Sequence, residues 1–289
     1  MAELEDLALA HRHADGTAFT LPRLLQETAR QQQAHLKPPP ALTTALEWVN
    51  ETFPYDSDEV HFWPIAEPLA PHAQSIALHA ADRALSSPTA LLLNQVALFY
   101  EAKGQHTNAE PLIRRALAMD EASLGLNHPH VAIRLSNLAS LLQDTDRLAE
   151  AEPLMRRALA ICESSFGPEH SNVAIRLNNL AQLLQATQRM DEAESLMRRA
   201  LAMDEASFGP EHPDVAIRLN NLAQLLQDTD RLSEAEPLMR RAAVILITFT
   251  KETKHPHSSL NTFMNNYGSL LIEMGDTPEQ VVEKVSRLW

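Results

Sequence analysis

From Val173 to Asp214 the apolar residues recur at helical steps. Leu177, Leu180, Ala181 and Leu184 are separated by three, one and three residues, so they share one face of a helix, while Asn178, Gln182 and Gln185 line another. A second helical pattern follows in Ala193, Met197, Ala200 and Leu201, with Arg198, Arg199, Asp204 and Glu205 on its polar side. The stretch predicts two amphipathic helices joined by a turn at Gln185 to Met190. After the second comes Ser207-Phe208-Gly209-Pro210-Glu211-His212-Pro213, whose glycine and prolines stop one helix and open the next. Ala181, Ala193 and Ala200 stand among the larger side chains, which lets helix axes approach to the short end of the usual packing range of about 8–10 Å.

The pattern repeats. The segment starting at Val215 matches the one starting at Val173 at 23 of its first 28 positions, and a copy from Val131 keeps the same 42-residue step, with a looser copy from Thr89. A fixed period of this length marks a stacked array, in which no single unit can bury its apolar faces alone.

These residues resemble the tetratricopeptide repeats in their 42-residue, kinesin-light-chain-like form. Leu177, Leu180, Ala181 and Leu184 match the packing positions of that family's first helix, and Ala193, Met197 and Ala200 those of its second. The strings LNNLA, EAE-LxxRAL and FGPEHPDVA are all present. The resemblance is firm from Thr89 to His257 and weak from Ser258 to Trp289. It implies an all-α, right-handed superhelical solenoid of helix pairs whose first helices line the concave side. Two departures stand out: the family's first-helix Trp or Tyr is mostly Leu here, Tyr100 excepted, and the inter-helix turn keeps glycine only at Gly104 and Gly275.

Toward the N-terminus, Leu7 to Leu21 alternates around Ala14-Asp15-Gly16-Thr17, which predicts a small β-hairpin, and Pro22 opens a helix through Gln33. The string HRHADGTAFTLPRLLQETAR, with Trp63-Pro64 beyond it, is similar to the winged-helix junction between the nucleotide-binding domain and the repeat sensor of bacterial STAND-type signalling ATPases. This implies either a remnant of that architecture or a simple cap over residues 1–37. Pro38-Pro39-Pro40 sets a boundary. Residues 41–87 read as a degenerate first repeat, with helices at Ala41 to Phe53 and Ala66 to Leu85 and a local core of Trp48, Phe53, Phe62 and Trp63. Four arrayed repeats fill residues 88–257. Their last second helix turns apolar all round at Ala242 to Phe249, which needs a cover. Residues 258–289 are the expected capping repeat, and any part of the apolar run left uncovered is the expected surface for a homo-oligomer.

Composition narrows the function. The net charge of −14 argues against nucleic acid, and arginine pairs such as Arg156-Arg157 are matched by nearby carboxylates. The first 37 residues carry four Lys or Arg against five Asp or Glu, against a winged-helix DNA regulator. One cysteine, Cys162, excludes an intrachain disulfide and suits a reducing compartment. The run Ala242 to Phe249 is less than half the roughly 20 residues of a membrane span, and no signal peptide precedes the array, so a cytoplasmic protein is expected. His128, His170, His212 and His255 are repeat equivalents, spaced too widely for one metal ion, and read as turn residues. No phosphate loop, HExxH, GxSxG or CxxC occurs, so neither enzyme chemistry nor a cofactor is expected.

The positive signal is a polar ladder on the first helices. Asn178, Gln182 and Gln185 recur as Asn220, Gln224 and Gln227, then as Ser136, Ser140 and Gln143, and as Asn94, Leu98 and Glu101. The resemblance implies that such asparagines clamp the backbone of an extended peptide, and amides suit the task because each offers donors and an acceptor. The expected peptide-binding set is Asn94, Ser136, Asn178, Gln182, Gln185, Asn220, Gln224 and Gln227, with Asn137, Asn179 and Asn221 either joining it or bonding between helices. The expected function is a protein-interaction scaffold or sensor for a protein or peptide partner. The alternative is the sensor portion of a STAND-type ATPase system.

Overall fold

A computed structural model describes residues 11–12, 19–20, 40–53, 62–85 and 88–289. Among them the secondary structure is helical throughout, apart from one short pairing. The helices are α1 (Pro40–Thr52), α2 (Trp63–Ala81), α3 (Thr89–Ala102), α4 (His106–Leu124), α5 (Pro129–Asp144), α6 (Leu148–Phe166), α7 (Ser171–Ala186), α8 (Met190–Phe208), α9 (Pro213–Asp228), α10 (Leu232–Thr253), α11 (Leu260–Glu273) and α12 (Pro278–Ser286). The N-terminal hairpin expected as part of the fold is corrected. The extended backbone is limited to His11–Arg12 against Phe19–Thr20, two residues a side, which is below the length of an ordinary strand and contributes no sheet to an all-helical architecture. The helix expected after Pro22, and the rest of the string similar to the STAND junction as far as His61, lie outside the described residues apart from α1.

The chain divides into two units, Met1–Met119 and Asp120–Trp289. In the first, α1 packs on α2 and α2 on α3. The four aromatics expected to form one local core do not do so. Phe53 is buried edge-on against Phe99 with centroids 6.1 Å apart, whereas Trp48 is 57% exposed and Trp63 lies under the Lys103 ammonium. Tyr100 is held by its hydroxyl, which donates to Gln74 at 2.9 Å.

In the second unit each helix from α5 to α12 packs on the next, and the first helices also touch each other, α5 on α7 and α7 on α9. The apolar positions read from the repeat are the core: Leu177, Leu180, Ala181 and Leu184, and Ala193, Met197 and Ala200, are all buried. The turns within each pair share one geometry. Asp146, Gln188 and Asp230 take left-handed φ values of 59°, 62° and 59°, the conformation that Gly104 and Gly275 adopt at the same repeat position. Each closes a Schellman motif, with Arg147 N–H donating to the Leu142 carbonyl at 2.7 Å, and Arg189 to Leu184 and Arg231 to Leu226 at 2.8 Å. Loss of glycine from the turn therefore leaves its backbone path unchanged.

The arginine pairs divide their work. Arg156 and Arg198 bond carboxylates four residues back on their own helix, Glu152 and Glu194, and Arg156 also reaches forward to Glu192 of the next repeat at 2.8 Å. Their neighbours reach across to the preceding repeat. Arg157 bonds Glu121 at 2.6 Å and the Leu126 carbonyl at 3.0 Å, Arg199 bonds Glu163 and the Pro168 carbonyl, and Arg241 bonds Glu205 and the Pro210 carbonyl. Each clamp ties the loop between two repeats to the second helix that follows it.

The apolar end of α10 is covered within the chain. Ala242, Ile245, Leu246 and Ile247 are buried in a cluster with Leu260 and Phe263 of α11, and Met264 and Leu288 pack against it. The apolar run therefore leaves little surface for the homo-oligomer expected there. At 22 residues α10 is longer than the 19-residue α6 and α8, so the repeat register shifts in the last unit. His257, not His255, is the equivalent of His212, as its Nδ1 accepts from Ser259 N–H at 3.2 Å.

Candidate functional site

The first helices of the second unit carry the candidate surface. Along α7 one line of exposed or half-exposed side chains runs Ile175, Asn179, Gln182 and Ala186, at steps of four, three and four. The equivalent stripes are Ile133, Asn137, Ser140 and Asp144 on α5, and Ile217, Asn221, Gln224 and Asp228 on α9. His128, His170 and His212 start these helices by capping: each Nδ1 accepts the backbone N–H two residues on, at 3.1 to 3.2 Å. Phe166 and Phe208 stack on the second and third of these rings at 4.8 Å. Among the described residues, no three His, Cys, Asp or Glu side chains converge on a metal-sized site.

The amide ladder has two layers. Asn94 in the first unit, and Ser136, Asn178 and Asn220 in the second, are buried. Asn178 accepts from the Asn221 amide of the next first helix at 3.0 Å, and Asn220 accepts from Asn266 at the same distance. These residues tie one first helix to the next. The outer layer is available to solvent: Gln182 is exposed, and Gln143, Gln185, Gln224, Gln227, Asn137, Asn179 and Asn221 are half-buried. Gln185 donates to Asp228 at 2.6 Å and Gln227 donates to Glu273, so parts of this layer also bridge repeats. An open cleft of about 510 Å3 runs across it, lined by Ser140, Gln143, Asp144, Gln182, Gln185 and Asp228, with Ala186, Gln188 and Met190 at its edge. The exposed isoleucines and the carboxylates at the helix ends were missed from the sequence, although the four-three-four step that places Gln182 outward places Ile175 and Ala186 outward too.

Behind this surface lies a row of buried charge. Arg134 bonds Asp120 at 3.0 Å and Arg218 bonds Asp204 at 2.8 Å, all four side chains being at least nine-tenths buried. Burial outweighs the partner at both: it lowers the Arg134 guanidinium, and it holds the Asp204 carboxyl above the usual carboxylate range despite Arg218. In the middle repeat the acid is missing. Cys162 occupies the position of Asp120 and Asp204, it is buried, and the buried Nε of Arg176 finds no hydrogen-bond partner among the described residues. Replacing Cys162 by Asp offers an acceptor to the one buried donor of a half-buried arginine. We expect a gain of about 1 kcal/mol in urea unfolding, with no gain in an Arg176→Met background.

Comparison with known proteins places this architecture. The family model described as a tetratricopeptide repeat matches residues 88–164, 133–206 and 172–245. No curated protein matches the sequence. Among solved structures, BtubC (BKLC) from P. vanneervenii is similar with a TM-score of 0.59 at 22% identity, over 86% of this chain and 91% of that one. A putative kinesin light chain with nearly identical TPR-like repeats from Podosopora anserina is similar with a TM-score of 0.55 at 22% identity, over 68% of this chain and 92% of its own. At that identity the likeness is one of fold. Since the family model spans more than half of the sequence, the chain belongs to the tetratricopeptide repeat family, whose stacked helix pairs serve as protein-interaction scaffolds.

Proposed function

We propose that the second unit binds an extended segment of a protein partner across α5, α7 and α9, without chemistry and without a cofactor. The observation that carries this reading is the outer amide layer, in which Gln143, Gln182 and Gln185 line the open cleft and Gln224 and Gln227 continue the row on α9. Amides arrayed at helix spacing can pair with both the N–H and C=O groups of an extended backbone, whatever its side chains. Ile133 and Ile175, each 38% exposed, add apolar contacts at the other end of the same stripes. In this reading Asn178 and Asn220 position the first helices, Asn179 and Asn221 contribute from the groove wall, and Ser136 and Asn94 are interior.

The test is retention of an immobilised library of random unstructured peptides by the intact chain and by a Gln182→Ala/Gln185→Ala/Gln224→Ala/Gln227→Ala variant of equal helicity. The variant is expected to lose at least tenfold in retention, since each lost peptide hydrogen bond weakens binding by about 0.5–1.5 kcal/mol. Equal retention by the two proteins would move the function off this face.

A further inference from the structure

Resting on the groove reading above, we propose that the segment it holds is basic, with two cationic side chains about five or six residues apart. Asp144 and Asp228 end α5 and α9, and Asp146 and Asp230 lie two residues further on in the turns; all four are exposed. The side chains of Asp144, Asp146 and Asp230 enter no ion pair or hydrogen bond among the described residues, and Asp228 accepts only from the neutral Gln185. The arginines of the same turns do not neutralise them. Arg147 turns to Glu150, Arg189 to Glu152 and Glu192, and Arg231 to Glu194 and Glu234.

The placement runs against helix electrostatics. A helix C-terminus carries partial negative charge and favours Lys or Arg in its last turn, yet α5, α7 and α9 have no basic residue there. Two of the three add a carboxylate instead. A cation arriving from outside relieves this repulsion. Moreover, the charge is not uniform: α7 between them has Ala186 and Gln188 at the corresponding positions. Two acidic ends therefore flank a neutral middle across the cleft lined by Asp144, Gln182, Gln185 and Asp228. Helices two repeats apart are separated by roughly 16–20 Å, twice the usual packing distance. An extended chain rising about 3.3 Å per residue covers that in five or six residues.

The experiment uses the intact chain and three immobilised peptide libraries, random at neutral positions, with Lys, Gln or Glu fixed at two sites five residues apart. Retention of the Lys library at least tenfold above the Glu library is expected, falling with added salt. It should drop about tenfold in an Asp144→Asn/Asp146→Asn/Asp228→Asn/Asp230→Asn variant, as four exposed ion pairs would give. Asparagine at positions 144 and 228 removes repulsion at two helix C-termini, and asparagine tolerates the left-handed φ of Asp146 and Asp230, so helicity is retained, as circular dichroism checks. Equal retention of the three libraries would overturn the charge assignment while leaving the peptide groove standing. Retention of none by the intact protein would overturn both.

Discussion

Replacing Asp204 by alanine is expected to lower the free energy of unfolding by about 3–5 kcal/mol, the cost of leaving a buried guanidinium without its counter-ion. Asp204 is 1% and Arg218 9% exposed at the side chain, and their 2.8 Å bond joins α8 to α9, the junction between consecutive repeats. The pair itself is another matter. Burial holds the Asp204 carboxyl above its ordinary range even with Arg218 beside it, so desolvation costs more than the attraction returns. Replacement of both partners, Asp204→Leu with Arg218→Met, is therefore expected to be neutral or stabilising by up to about 4 kcal/mol. Urea unfolding of the two single variants and the double variant decides the matter, and a double variant as unstable as the singles would refute this account. The pH dependence follows in sign. A carboxyl whose folded pKa is raised contributes stability that is fully present below its unfolded value, near 3.9, and is lost as pH rises through the folded value. Relative to the double variant, the natural chain should lose stability as pH rises through that window.

Ending the chain after His257 is expected to have the largest effect. It removes Leu260, Phe263, Met264 and Leu288 from the cluster around Ile245, Leu246 and Ile247. Stripping four apolar covers at about 1.5–3 kcal/mol each costs on the order of 6–12 kcal/mol, and the exposed face of α10 becomes adhesive. The truncated chain should elute as an oligomer or aggregate on size exclusion and bind a hydrophobic dye, whereas the full chain should not. A monomeric truncation with an unchanged melting temperature would show that α11 and α12 are dispensable.

The repeated part of the fold was legible because its signals reinforce each other every 42 residues: the apolar steps through Leu177 to Leu184, the small residues at Ala181 and Ala200, and the loop beginning Phe208-Gly209-Pro210. The ends were less so. Trp48 and Phe53 are five residues apart, a step that separates them on a helix, and only the fold reveals that Phe53 meets Phe99. The shift of register in the last unit was hidden because α10 lengthens without any break in its helical pattern. In the candidate site the error was one of depth. Asn178 and Gln182 look alike in a list of polar residues, but a residue beside the apolar stripe is carried inward when a neighbouring repeat stacks on it. Asn178 thus became a bond between helices and Gln182 remained outside.

The clamps from Arg157, Arg199 and Arg241 all point one way, each holding the loop that precedes its own repeat. A loop is thus fastened only once the next repeat has been added. During synthesis the array locks behind itself, like a ratchet whose most recent tooth is always the loose one. In the finished protein the same polarity means that loss of a repeat from the C-terminal side frees a loop, while loss of a repeat from the N-terminal side frees an arginine. The two ends of a fraying array are therefore chemically different, a loose loop at one and an unpaired guanidinium at the other.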